Sequence, residues 1–243
     1  MKLKSILAAT FLCVLFQGAA VANEHTSLVT AQGEVVLNDP ATIINAYVKA
    51  IGGTEKIAQI RNSVMTAEAA FMGQTIQIKT ISDAEFTRML QSTSVGGNEM
   101  QKTILLNGKA QVMAMGQVQE LPEEMVAILK TQTYMFPEQN YEALGFAVTY
   151  VGEEEIEGEN THKLEITAPN GMVTHEFYSA SSGLKVRTSS TATGDISYSD
   201  YQEVEGVLVP MSLKIKNPML PEALETKITS IKFNQELSDA DFQ

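Results

Sequence analysis

From Ser63 to Asn234 the chain is a succession of short segments with period-two alternation, divided by turn residues, and this restricts it to an antiparallel β architecture. In 207–216, Val207, Val209, Met211, Leu213 and Ile215 fall on one side, and Leu208, Pro210, Ser212, Lys214 and Lys216 on the other. Such alternation is the mark of a strand with one buried face. Candidate strands cover 64–71, 74–81, 85–91, 101–106, 109–115, 146–151, 161–167, 172–178, 184–191, 194–203, 206–216 and 225–234. Asn107-Gly108, between "TILL" and "AQVMAM", is a two-residue hairpin signal, and "APNG", "SSG", "TG" and "EG" divide the later strands. No period of 20–50 residues recurs, which disfavours propellers and solenoids.

Helical periodicity precedes this pattern and interrupts it once. Asp39 is placed to cap a helix with Pro40 in its first turn, and Ile43, Tyr47 and Ile51 form its apolar stripe. Gly52-Gly53 ends it, and Thr54 is placed to cap a second short helix carrying Ile57 and Ile60. Later, Pro122, Glu123 and Glu124 open a helix striped by Met125, Ile128 and Leu129. The expected fold is a mainly β, antiparallel, incomplete barrel closed by helices; a Greek-key sandwich is the alternative. Pro210 fits such a strand only at an edge or bulge, because it has no N–H to give a ladder.

The N-terminus reads as a secretory signal peptide over 1–22: Lys2 and Lys4, an apolar run Ile6–Phe16, then Ala20-Val21-Ala22. A polar leader at 23–38 and a single domain at 39–243 follow. Cys13 lies inside the apolar run behind Leu12, a poor context for lipidation, and the processed chain has no cysteine. Losing Lys2 and Lys4 takes 17 basic residues to 15 against 29 acidic ones, so the net charge moves from −12 to −14. Charge of this sign argues against nucleic acid as a partner. No later apolar run is long enough to span a membrane.

Catalytic signatures are missing: there is no H-E-x-x-H, no G-x-S-x-G and no phosphate-binding glycine motif. Of the three histidines, His25, His162 and His175, the last two flank the Pro169-Asn170-Gly171 turn. A turn over 168–171 would set His175 opposite Leu164 and Lys163 opposite Glu176, which does not make a metal pair. The acidic run 153–160 has contiguous acids rather than the alternating oxygens of a calcium loop, and reads as a solvated hairpin end. No cofactor, metal or enzymatic role is expected, and a hydrolase built on His175 is a minor alternative. The chain has twelve methionines and no tryptophan. Met is soft and unbranched, suited to an adaptable apolar surface. A curled sheet of this many strands also encloses more space than its own side chains readily fill. A Met-rich dry core explains the same composition.

The early helix ending "AIGG" followed by "EKIAQI", then "SSGLKVRT", "DYQEVEGVLVPMSLKI" and "ETKITSIKFNQELSDADF", resembles the LolA/LolB-like superfamily, especially outer-membrane lipoprotein-sorting proteins. The resemblance covers about 50–243. It implies an incomplete antiparallel barrel whose hydrophobic cavity holds acyl chains in the periplasm, with inner- and outer-membrane partner proteins. The carrier's arginine latch has no counterpart motif here, since Arg61 and Arg88 sit in other contexts. On this reading the cavity wall comprises Ile76, Ile78, Met113, Val148, Leu164, Ile166, Phe177, Val186, Val209, Met211, Leu213, Ile231 and Phe233, with Met125, Ile128 and Leu129 as lid. The alternatives are an interaction or assembly protein with a dry β core, and an accessory domain related to those attached to insulinase-like zinc proteases.

Overall fold

The computed structural model describes residues 39–191, 194–217 and 220–243; the leader, Cys13 and His25 lie outside these. Helix α1 (Pro40–Ile51) begins as the sequence predicts: the Asp39 carboxylate accepts from the backbone N–H groups of Ala41 and Thr42, at 3.3 and 3.1 Å. Gly52, at φ 143°, ends it. Helix α2 (Thr54–Ala58) is capped differently from expectation. Gly53 occupies the cap and Thr54 is the first helical residue, with no capping side chain.

Thirteen strands follow: β1 (Asn62–Phe71), β2 (Gln74–Asp83), β3 (Arg88–Val95), β4 (Asn98–Leu106), β5 (Lys109–Ala114), β6 (Gln117–Glu120), β7 (Ala147–Ile156), β8 (Glu159–Thr167), β9 (Val173–Ser179), β10 (Lys185–Ser190), β11 (Gly194–Val204), β12 (Val207–Lys216) and β13 (Leu224–Phe233). They form one antiparallel sheet in the order β6-β5-β4-β3-β2-β1-β13-β12-β11-β10-β9-β8-β7. Every spatial neighbour is a neighbour in sequence except β1 and β13, which join the two ends of the domain. The free edges, β6 and β7, are consecutive in the chain. Residues 121–146, with helix α3 (Glu123–Thr131) and a 3₁₀ turn at Glu138–Asn140, therefore cross the open seam. This is an incomplete barrel and excludes the Greek-key alternative.

Strand β6 was not foreseen, because "QVQE" carries one apolar residue and Met115-Gly116 is not a recognised turn pair. The acids of 153–156 belong to β7, and only Glu157-Gly158 makes the turn. The hairpin β8–β9 is one residue out of the expected register: Glu165 faces His175 and Leu164 faces Glu176. Pro210 is accommodated because β12 pairs with β13 only over Ser212–Ile215. Pro210 lies outside that ladder, opposite Tyr201, beside Asp200 at φ 55°.

Cross-strand register separates two faces. On the inner face Ala67, Ile78, Leu164, Val209, Ile231 and Phe233 are buried against Ile43, Tyr47, Val48 and Ile51 of α1, which fills much of the barrel. On the outer face Ile81, Leu90 and Ile104 are covered by Phe242 from a C-terminal 3₁₀ turn, Asp239–Phe242. Arg88 fixes that turn, pairing with buried Asp83 at 2.5 Å and with Asp239 at 2.7 Å. Its guanidinium also lies 4.7 Å from the Phe242 ring centre, a favourable cation–π distance.

Gly194, which opens β11, is the tightest glycine. It has φ +77°, and an added Cβ would meet the carbonyl oxygen of Lys216 at 2.2 Å. Gly194→Ala should therefore cost about 2–4 kcal/mol, combining left-handed strain with backbone displacement. Urea unfolding would measure it; a loss under about 1 kcal/mol would show that the β10–β11 corner relaxes freely.

Candidate functional site

The seam leaves an apolar cavity of about 390 Å³ between α3 and the segment 143–146 on one side and the β8–β9 hairpin on the other. Ile128, Leu144, Phe146, Ile166, Met172 and Thr174 line it. Helix α3 is oriented by Val126 and Leu129, which bury against Met89, Leu105 and Ala110 on the inner faces of β3, β4 and β5. The buried stripe is thus one residue off expectation. Val126 was not anticipated, Ile128 turns toward the cavity, and Met125 stays half-buried on the flank.

The predicted wall residues separate into distinct places. Ile76, Ile78, Leu164, Ile166, Val209, Ile231 and Phe233 are buried in the main core, with Val148, Met211 and Leu213 half-buried against it. Ile166 alone among these thirteen borders the open cavity. Met113 sits on the outer face, packed against the Phe242 cluster, because Val112 is the inward residue of β5. Phe177 is also on the outer face. It is 3 % exposed and sandwiched between Lys163 Nζ at 5.2 Å and the Arg187 guanidinium at 5.6 Å. Val186 occupies the β9–β10 register shift between Lys185 and Arg187 and joins no apolar cluster. A second cleft of about 370 Å³ lies near α2, bordered by Ile57, Arg61, Met135 and Gln139.

Turning Phe177 outward brings Thr174, Glu176 and Tyr178 inward, and this creates a feature that sequence reasoning missed. Lys185 Nζ lies between Glu138, from the 3₁₀ turn crossing the seam, and Glu176, at 2.7 Å. The hydroxyls of Tyr141 and Tyr178 donate to Glu176 at 2.9 and 2.6 Å. The Tyr201 hydroxyl donates to the Lys185 carbonyl at 2.7 Å. All three charged side chains are at least nine-tenths buried. One cation faces two carboxylates, and Glu138 Oε2 has no hydrogen-bond partner. Burial raises Glu138 above the usual carboxylate range, against the pull of Lys185. Burial by itself would lower Lys185, but Glu138 and Glu176 together outweigh it and hold the ammonium well above its ordinary value. Burial likewise pushes up the hydroxyls of Tyr47, Tyr141 and Tyr178. The cluster is adjacent to the cavity, since Glu176 lies two residues from Thr174 on one face of β9 and the Tyr141 ring packs at a tilt against Phe146, 5.2 Å between centres. It ties the seam-crossing segment to β9 and β10. No spacing rule links residues 138, 176 and 185; only the inward parity of β9 could have pointed to them.

The histidines do not meet. His162 lies opposite Tyr178, with Nδ1 3.7 Å from Glu153, whereas His175 is on the other face, 3.3 Å from Glu165. Among the described residues no cluster of His, Cys, Asp or Glu could hold a metal ion, and no helix is long and apolar enough to cross a membrane.

An open antiparallel barrel, helix-filled and with a helical segment across its seam, defines a LolA-like fold. Solved structures with this architecture include a LolA superfamily protein from Nitrosomonas europaea (TM-score 0.57, 11 % identity, 84 % of this chain and 97 % of that one). Another is a DUF1329 family protein from Desulfovibrio piger (0.56, 14 %, 84 % and 98 %). A third is a Vibrio parahaemolyticus domain described as an outer membrane lipoprotein-sorting protein (0.51, 11 %, 77 % and 94 %). At these identities the likeness is one of fold. No protein-family model and no curated relative matches the chain.

Proposed function

We propose that this protein is a periplasmic lipid- or lipoprotein-binding carrier that holds an acyl chain in the cavity beneath α3. The observation that carries this reading is the mainly apolar space of about 390 Å³ at the seam of a LolA-like barrel. That volume is within the range of small-molecule pockets. Binding needs no covalent chemistry, because each buried CH₂ contributes about 0.8 kcal/mol. The main inner face is packed by α1, so the ligand would occupy the seam rather than the whole concavity. The solved structures of similar fold, among them a LolA superfamily protein and a lipoprotein-sorting domain, support a carrier role, and the signal-like residues 1–22 support the periplasm.

Extraction of protein from its native compartment followed by mass spectrometry should yield acyl lipid in stoichiometric amount, and the emptied protein should bind a fluorescent fatty acid. Ile128→Trp, from the half-buried face of α3, should fill the cavity and weaken that binding at least tenfold while leaving the unfolding midpoint unchanged. A lipid-free protein that ignores the probe would sink the carrier reading and favour an assembly role with a dry core.

A further inference from the structure

The hairpin turns at the two ends of the barrel use the same backbone but opposite side chains. Met72-Gly73, Asn107-Gly108, Met115-Gly116, Glu157-Gly158 and Glu205-Gly206 are all two-residue turns with both φ angles positive. That geometry selects Asn, Asp or Gly at its first position. Asn107, Glu157 and Glu205 are polar and lie at one end. Met72 and Met115, at the other end, are neither turn formers nor residues that readily adopt positive φ, and they are 64 % and 65 % exposed. A strained position filled twice by an exposed apolar side chain, at one end only, calls for a contact at that end.

Strand direction puts the β8–β9 hairpin, and so the Met172 border of the cavity, at this same end. Exposed Val118 and Val173 lie there too. Phe86, at the opposite end, is 64 % exposed as well, but it has a partner within the fold, the Arg88 guanidinium 4.9 Å from its ring centre. Charge divides in the same way. Glu85, Glu157 and Glu205 occupy opposite-end turns, whereas the described strand-to-strand connections of the methionine end carry Glu222 alone, with Glu142 in the turn that leads into β7.

We infer that the methionine-tipped rim docks on the surface of a lipid bilayer, with the cavity mouth turned toward the membrane. Separate tips with soft, unbranched side chains, each projecting beyond its strands, suit shallow insertion among acyl chains better than they suit the continuous groove of a protein partner. The segregated acids then point away from anionic headgroups, which would repel them. This docking requires the rim and does not depend on what fills the cavity.

Flotation with phosphatidylcholine vesicles tests it, comparing the full chain with a Met72→Asn/Met115→Asn variant. Asn suits both turns, so the variant should fold at least as well, and both chains carry the same N-terminal segment, so their difference reports the rim. The variant should lose at least tenfold in vesicle partitioning while binding a fluorescent fatty acid as the unaltered chain does. Glu157→Met, at the far end, should leave partitioning unchanged. Equal partitioning of variant and unaltered chain would overturn the inference. So would concentration-dependent self-association that the double variant abolishes, since the rim would then be a contact between copies. An unaltered chain that partitions through the rim yet binds no fatty acid would instead strike the carrier reading alone.

Discussion

Replacing Lys185 with Met should cost about 3–5 kcal/mol of folding stability, the usual effect of removing one partner from a buried ion pair. Methionine fills a similar volume, so packing is largely kept and the loss is electrostatic. Glu138 and Glu176 would face one another in a dry site with no cation between them. Glu176 keeps the hydroxyls of Tyr141 and Tyr178, but Glu138 Oε2 already has no partner. Adding Glu138→Gln and Glu176→Gln to Lys185→Met should recover a large part of the loss, because neutral amides carry no repulsion. In the single variant the Glu138 carboxyl, already raised by burial, loses the opposing pull of Lys185. Its stability should therefore rise as pH falls toward about 4, as Glu138 takes up a proton. Urea unfolding of the three chains would decide it. A single variant within about 1 kcal/mol of the unaltered protein would show that the ion pair does not hold the seam segment.

The unaltered protein should lose stability steeply above about pH 10, where free tyrosine and lysine begin to deprotonate. The sign follows from the direction of the shifts. Lys185, Tyr47, Tyr141 and Tyr178 all hold their protons more tightly when folded than when unfolded. Their contribution is fully present below the unfolded values. It declines as pH rises from there toward the folded values, because the unfolded chain releases protons that the native one keeps. Each group fully in that window removes about 1.4 kcal/mol per pH unit. Several acting together would bring the urea midpoint down sharply between about pH 10 and 11. Lys185→Met should show a shallower decline; identical slopes in the two chains would place the titrating groups elsewhere.

Local structure was legible because it rests on near-neighbour physics. Asp39, Pro40 and the Ile43–Tyr47–Ile51 stripe specify α1, and Asn107-Gly108 specifies its hairpin. Twelve of the thirteen strands were legible to within a few residues, since period-two alternation survives whatever the sheet curvature. The missed strand, β6, has no apolar face to alternate. Face assignment failed where a strand carries apolar residues at both parities. "HEFYS" offers Phe177 and Tyr178, and "AQVM" offers Val112 and Met113; in each the expected residue faces outward.

What the sequence alone determined was an antiparallel meander with a helix at its start and another midway, because caps, turns and alternation act over a few residues. Tertiary structure decided how full the barrel is and where space remains. Helix α1 takes up much of the concave face, so the Val207–Ile215 stripe serves mostly as core, and the cavity is left between the seam-crossing segment and the β8–β9 hairpin. It also decided that Lys185, Glu138 and Glu176 meet. Their approach depends on which strands close the sheet and which parity turns inward, and residues 47 positions apart in the chain hold no local record of either.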